Sequence, residues 1–272
     1  MSREPLAIGW TQSRKDDPNR LSFLDLPKEL RNMIYDFAFQ VPGAIFIYCT
    51  DPYAWRSVLR GKIVKYKNQG PSEPQRVDGV LPTNLLLTGK QIYAEGAEVL
   101  YGKNVFRLYM SSANFAPTSF HLVRHVAFTI EAGRGIYKPN LEVMSYWWRR
   151  VFWPNVIDKS TELLDRYPNL ETLTFPINSE QAGVTWRPAF LASQKTKEHR
   201  IALAARWLAI NCPMKDTRLH NVLRLEIMPS SGLTKEDFEG SRFQFIEEED
   251  EYDGSELAEA FQQMKSYLIG QE

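Results

Sequence analysis

From residue 125 onward the sequence changes its period several times, and this alternation limits the possible folds more than any other feature. HVAFTI (125–130), PNLETLTFPI (168–177) and NVLRLEIMP (221–229) have the alternating, β-branched and aromatic character of strands. Between them, LEVMSYWWRRVFW (141–153), VIDKSTELLDRY (156–167) and HRIALAARWLAI (199–210) place apolar residues at helical spacing, with Pro154 expected to separate the first two helices. Strand–helix–strand order requires crossover connections, and these give parallel pairing with helices packed on the sheet. The expected class is α+β, with a mixed, partly parallel sheet. Strand spacing of roughly 45 to 55 residues is too long and uneven for a strict repeat, so the arrangement is at most a degenerate, leucine-rich-repeat-like one.

Upstream, LPKELRNMIYDFAF (26–39) reads as a compact helix. Pro27 suits a first helical turn and Glu29 favours the helix dipole there. Leu30, Met33, Ile34, Phe37 and Ala38 form an i, i+3, i+4, i+7, i+8 stripe, and Pro42-Gly43 ends the helix. Such a stripe is either ordinary core or half of a docking surface. GAIFIYCT and KIVKYK follow as two strand candidates, then the turn-rich NQGPSEPQ. Helical spacing returns at NLLLTGKQIYAEGAEVLYG (84–102), with Asn84 as the expected cap and Gly102 as the end. Gly89 and Gly96 within that pattern imply close approach of another element, and NVFRLYM is a strand.

LDLPKELRNMIYDFAF resembles the opening of F-box and F-box-like domains, through its Leu-Pro-x-Glu-Leu core. The longer Leu-Pro-x-Glu-Leu-Arg-Asn-x-Ile-Tyr form is similar to that of a large group of fungal proteins. They carry a second signature, an apolar run ending in Arg/Lys-Gln-Ile-Tyr-x-Glu, then Leu-Tyr and a strand. Here that is LLLTGKQIYAEGAEVLYGKNVFRL, Leu85 to Leu108. The resemblance covers about 40 residues in two pieces and implies a binding role. F-box domains dock on the small adaptor of cullin–RING ubiquitin ligases, while a downstream domain presents a substrate. On that likeness Leu26, Pro27, Leu30 and Ile34 are the implied adaptor contacts, with Leu86, Gln91 and Ile92 as further ones. Two departures stand out: the second signature begins only near residue 84, after a strand-like insertion, and position 89 is Gly where the related proteins commonly have Cys.

The expected layout is a flexible arm (1–20), an F-box-like region (21–110) with a β insertion at 44–82, and a mixed sheet and helix region (111–245). An acidic linker (246–254) and a C-terminal helix (255–272) follow, and 21–245 is compatible with one compact unit. In the last helix Leu257, Phe261, Met264 and Leu268 form a stripe that Asp253 and Glu256 can cap. Lys+Arg and Asp+Glu balance at 33 each, which gives no global case for nucleic acid or an acidic membrane surface. The locally basic stretch from Arg56 to Arg76 reads as a solvated hairpin edge or as a counterpart to EEEDEYD (247–253). No apolar run approaches the roughly 18 residues of a membrane span, and two distant cysteines do not suggest a secreted scaffold. The expectation is a cytoplasmic or nuclear protein.

No motif carries chemistry. TGKQ (88–91) lacks both the glycine-rich approach and the hydroxyl residue of a phosphate loop, and there is no G-x-S-x-G elbow. His121 and His125 would share one face of a strand, but no third ligand accompanies them. No catalytic residue, metal or cofactor is expected, and the chain is read as a non-enzyme. YWWRRVFW (146–153) reads as a heavy core helix with Leu141, Met144, Trp148, Val151 and Phe152 inward. Trp147, Arg149 and Arg150 then face outward as partner-binding candidates. The leading expectation is a protein-interaction module, an F-box-like substrate receptor. The alternatives are an F-box-like structural or regulatory protein without adaptor binding, and an enzyme whose site is assembled from distant residues.

Overall fold

The computed structural model describes residues 22–49, 59–64, 81–108, 115–130, 134–178, 188–191, 196–228 and 255–269. Its centre is a six-stranded sheet: β1 (Ala44–Cys49), β2 (Leu59–Val64), β3 (Val105–Leu108), β4 (His125–Phe128), β5 (Thr172–Asn178) and β6 (Leu223–Met228). The strand order is β2-β1-β3-β4-β5-β6. β1 and β2 form an antiparallel hairpin, and every other neighbouring pair is parallel. The α+β class with a mixed, partly parallel sheet is therefore what the chain adopts. The hairpin expected as an insertion is the sheet's first edge, because β1 pairs directly with β3.

Register explains the core. Ile45, Phe106, Val126, Leu173 and Leu223 stand side by side across five strands, and all are buried. The helices pack on this face: α1 (Lys28–Phe39), α2 (Lys90–Gly102), α3 (Leu141–Trp147), α4 (Trp153–Arg166), α5 (Lys197–Asn211), α6 (Thr217–Val222) and α7 (Ser255–Ile269). One continuous hydrophobic cluster runs from Tyr35 to Met264 through this layer, so the first helix pair, the sheet's helical layer and α7 share a core. On the opposite face Ala44, Phe46 and Val64 make a small second cluster.

The aromatic residues of the α3–α4 segment are structural. The ring of Phe175 on β5 lies 5.5 to 6.4 Å from those of Phe128, Phe152, Trp153 and Phe261. Trp148 donates to the Ile136 carbonyl (3.2 Å) and Trp153 to that of Pro213 (2.7 Å), so both buried indoles keep a partner. Met144, Trp148 and Phe152 are buried as expected, whereas Leu141 is exposed and Val151 half-buried. Pro154 does not separate two helices. A π-turn, Trp148–Phe152, joins α3 to α4 without a break, and Pro154 follows directly behind it as the second residue of α4.

Other boundaries also differ from expectation. Residues 83–87 form a 3-10 turn rather than the start of α2, which begins after Gly89 as its N-cap. Asn221 and Val222 end α6 instead of opening β6. His121 lies in a 3-10 turn and not on a strand with His125. The C-terminal helix docks back through Leu257, Ala260, Phe261 and Met264. Glu256, expected as a cap, instead holds the Arg200 guanidinium of α5 at 2.9 and 2.6 Å. Residues 1–20, the acidic run 247–253 and most of the basic stretch lie outside the described residues. Among those described, no helix is long and apolar enough to cross a membrane.

Candidate functional site: the outward face of the first helix

The first helix is held by its polar and aromatic side. Ser22 and Asp25 cap a short 3-10 turn, Phe23–Asp25, reciprocally. The chain then passes Leu26 and Pro27 into α1. Arg31 points inward and is 8% exposed. Its Nη1 donates to the carbonyls of Leu24 (3.2 Å) and Leu26 (2.5 Å), while Nε and Nη2 donate to the Glu95 carboxylate of α2 at 2.9 and 2.8 Å. One guanidinium thus fixes the entry turn, α1 and α2 together, using the planar fork that suits a carboxylate. Gln91 adds a hydrogen bond to Glu95 at 3.0 Å. These donors, Arg31 first, hold the Glu95 carboxyl down at about 2. Tyr35 lies beneath, with its ring edge-on to Phe23 (5.5 Å) and stacked on Phe39 (6.2 Å). Burial, then the nearby Glu95 carboxylate, pushes its phenol up to about 12.

Close packing continues along the helix pair. A β-carbon on Gly96 would stand 2.6 Å from Leu86 Cδ2 and 2.9 Å from Phe39 Cε2, so only glycine allows this approach. Gly89 has no such contact. At the far end the buried Asn104 side chain accepts from Val41 N–H (2.9 Å). It also donates to the carbonyls of Phe39 (2.9 Å) and Leu100 (2.8 Å). It closes α1, closes α2 and fixes the entry to β1 with one amide.

Because Arg31, Tyr35 and Phe39 face inward, the apolar stripe of α1 faces out. Leu30 is 46% exposed, Met33 66%, Ile34 39% and Phe37 55%. Of the two readings left open for this stripe, ordinary core does not hold for these four residues, which meet solvent; only Ala38 packs against the core. Of the contacts implied by the resemblance, Leu26 is half-buried, and Pro27, Leu30 and Ile34 are exposed on one surface. Leu86 and Ile92 are not part of that surface. They are buried beneath the helix pair, and Gln91 serves the Arg31–Glu95 pair. Met33 and Phe37 belong to the surface but were not singled out in the sequence, although the stripe contains them.

The second group of candidates lies elsewhere. Arg149 and Arg150 face outward. Trp147 does not; it is half-buried over Gly135, where any β-carbon would fall 2.1 Å from the indole. Tyr146 takes the outward position instead, 57% exposed.

An open cleft of about 400 Å³ lies behind α1, lined by residues including Asn32, Glu98, Lys103, Arg124 and Glu171. Glu95 in its wall is held by Arg31, and Glu171 sits 3.6 Å from Arg124. His125 contacts the Thr172 hydroxyl at 2.9 Å. The Cys212 thiol is buried, which raises its pKa well above the ordinary value and leaves it a poor nucleophile. Among the described residues no group of three His, Cys, Asp or Glu side chains could hold a metal ion. No family model matches the chain, and no curated protein or solved structure matches it.

Proposed function

We propose that this chain is a non-enzymatic protein-interaction module whose first helix docks into an apolar groove of a partner, in the manner of an F-box-like substrate receptor of a ubiquitin ligase. The observation that carries the reading is the stripe Leu30, Met33, Ile34 and Phe37, exposed on a helix whose other side is locked by Arg31 and Glu95. A helix presenting anchors at i, i+3, i+4 and i+7 suits groove binding. An apolar face of that kind is a recognised mark of an interaction site. The likeness of Leu26–Tyr35 to F-box openings supplies the partner, the adaptor of cullin–RING ligases. Pro27, Leu30 and Ile34, with Met33 and Phe37, are its contacts.

One observation favours a second reading. Leu86 and Ile92, implied as contacts by the resemblance, are buried and support α1 from within. A module that kept the helix pair as scaffold and lost adaptor binding would look the same there. The deciding experiment is size-exclusion chromatography of the purified protein with the fungal adaptor, beside a Leu30→Asp variant. Co-elution that the variant abolishes while retaining its circular dichroism supports the receptor. A folded wild type that never co-elutes rules it out in favour of the second reading.

A further inference from the structure

We infer that the outward faces of α3, the π-turn and α5 form a second docking surface, for an acidic peptide segment that carries apolar side chains. It is independent of α1. The two helices are fixed against each other from below: the Trp148 and Trp207 rings lie 5.2 Å apart, and Trp207 Nε1 donates to the Ser145 hydroxyl at 3.1 Å. With their inward sides occupied, α3 presents Val143 and Tyr146, and α5 presents Ile210, which is 67% exposed. Arg149 and Arg150 of the π-turn that continues α3, and Arg206 of α5, are exposed as well.

These three arginines differ from others in the fold. Arg31, Arg200 and Arg218 each hold a carboxylate. Arg149, Arg150 and Arg206 make no ion pair or hydrogen bond among the described residues. The chain's overall charge is zero, so this is a local excess, opposed on α3 only by Glu142. Charge complementarity therefore selects an acidic partner. The aliphatic Val143, one turn before Tyr146 on α3, and Ile210, one turn after Arg206 on α5, select a peptide over nucleic acid, since aliphatic side chains offer bases neither a stacking platform nor a hydrogen bond. Tyr and Arg supply much of the energy at protein interfaces, and π-turns recur at functional sites.

The test is fluorescence polarisation with three labelled peptide pools of equal length. In the first, acidic residues surround two apolar positions that sample Leu, Ile, Val, Phe and Tyr. The second has the acidic residues alone, and the third reverses the charge to lysine. The first pool should bind, and the third should not. An Arg149→Glu/Arg150→Glu variant should weaken binding by roughly tenfold or more, and Tyr146→Ala should also weaken it. Leu30→Asp should leave this binding unchanged, which separates it from adaptor docking. The inference is overturned if the first pool fails to bind the folded wild type or binds the double variant equally. It is also overturned if the second pool, or a single-stranded oligonucleotide, binds as well as the first.

Discussion

The Arg31 guanidinium and the Glu95 carboxylate, 64 residues apart in the chain, meet in a two-pronged pair at 2.9 and 2.8 Å. Each comes from one of the two short signatures, so the pair is the physical link between them. It also decides which side of α1 faces the protein.

The pair gives an acid dependence with a defined sign. Glu95 is held down at about 2, so the folded protein binds this proton less readily than the unfolded chain, where a glutamate titrates near about 4.3. The contribution is complete above about pH 4.5 and is lost as the pH falls toward 2. Urea midpoints measured against pH should show wild type well above Glu95→Gln at pH 6, with the two converging at acid pH. A constant gap would mean that the charge of Glu95 is not what matters.

Charging the outward stripe should leave the fold intact. Met33→Lys and Phe37→Lys are each expected to change stability by about 0.5 kcal/mol or less, as at ordinary surface positions. Phe39→Ala, two residues beyond Phe37 but fully buried, should cost about 3–5 kcal/mol. Denaturant titration of the three variants makes the comparison. A large loss from Met33→Lys would show that the stripe is covered in the free protein.

Two glycines of the second signature should respond differently. Gly96→Ala gains about 1 kcal/mol of helix propensity. It also forces a β-carbon against Leu86 and Phe39, where overpacking costs about 1–3 kcal/mol, so a net loss is expected. In a Gly96→Ala/Leu86→Ala double variant the two losses should be less than additive, because the sites touch. Gly89→Ser, with open space and an N-cap role, should be neutral or slightly stabilising.

Lys265 of α7 gives an alkaline signature. Burial, with Arg224 nearby, lowers its pKa to about 8, while its amine donates to the Leu223 carbonyl at 3.0 Å. Between about pH 8 and 10 the unfolded chain therefore holds this proton more tightly than the folded one, and stability should rise with pH. Lys265→Met should flatten that rise in a urea-midpoint series. A slope equal to wild type would place the titration on another group.

The sequence revealed what its periods could carry. The alternation after residue 125 announced β4, β5, β6 and, between them, α3, α4 and α5 but not the short α6, and the α7 stripe announced a buried face. Periodicity gives a helix an apolar side but does not say which way that side turns. For α1 the answer lay in Arg31 and Tyr35, whose partner Glu95 is on another helix, so no local pattern contained it. The π-turn was hidden for a related reason: Pro154 suggested a break, whereas the buried Trp148, Phe152 and Trp153 hold the chain through it. Trp147 was placed outward by helical phase, but Gly135 offered it a seat. Of the candidate surfaces, Leu30, Ile34, Arg149 and Arg150 were legible as residues, while Met33, Phe37 and Arg206 needed the fold.

The strand order has a consequence for how the chain is made. From β3 to β6 each strand adds beside the one that preceded it in sequence, so the sheet can grow in one direction as the polypeptide leaves the ribosome. At every stage the newest strand is a raw edge able to recruit a strand from another nascent chain. Among the described strands β6 is the last such edge, and α7 packs against it with Lys265 on the Leu223 carbonyl. Synthesis halted before residue 255 would release a sheet without that closure. The fifteen-residue α7 thus guards the youngest of the described strands.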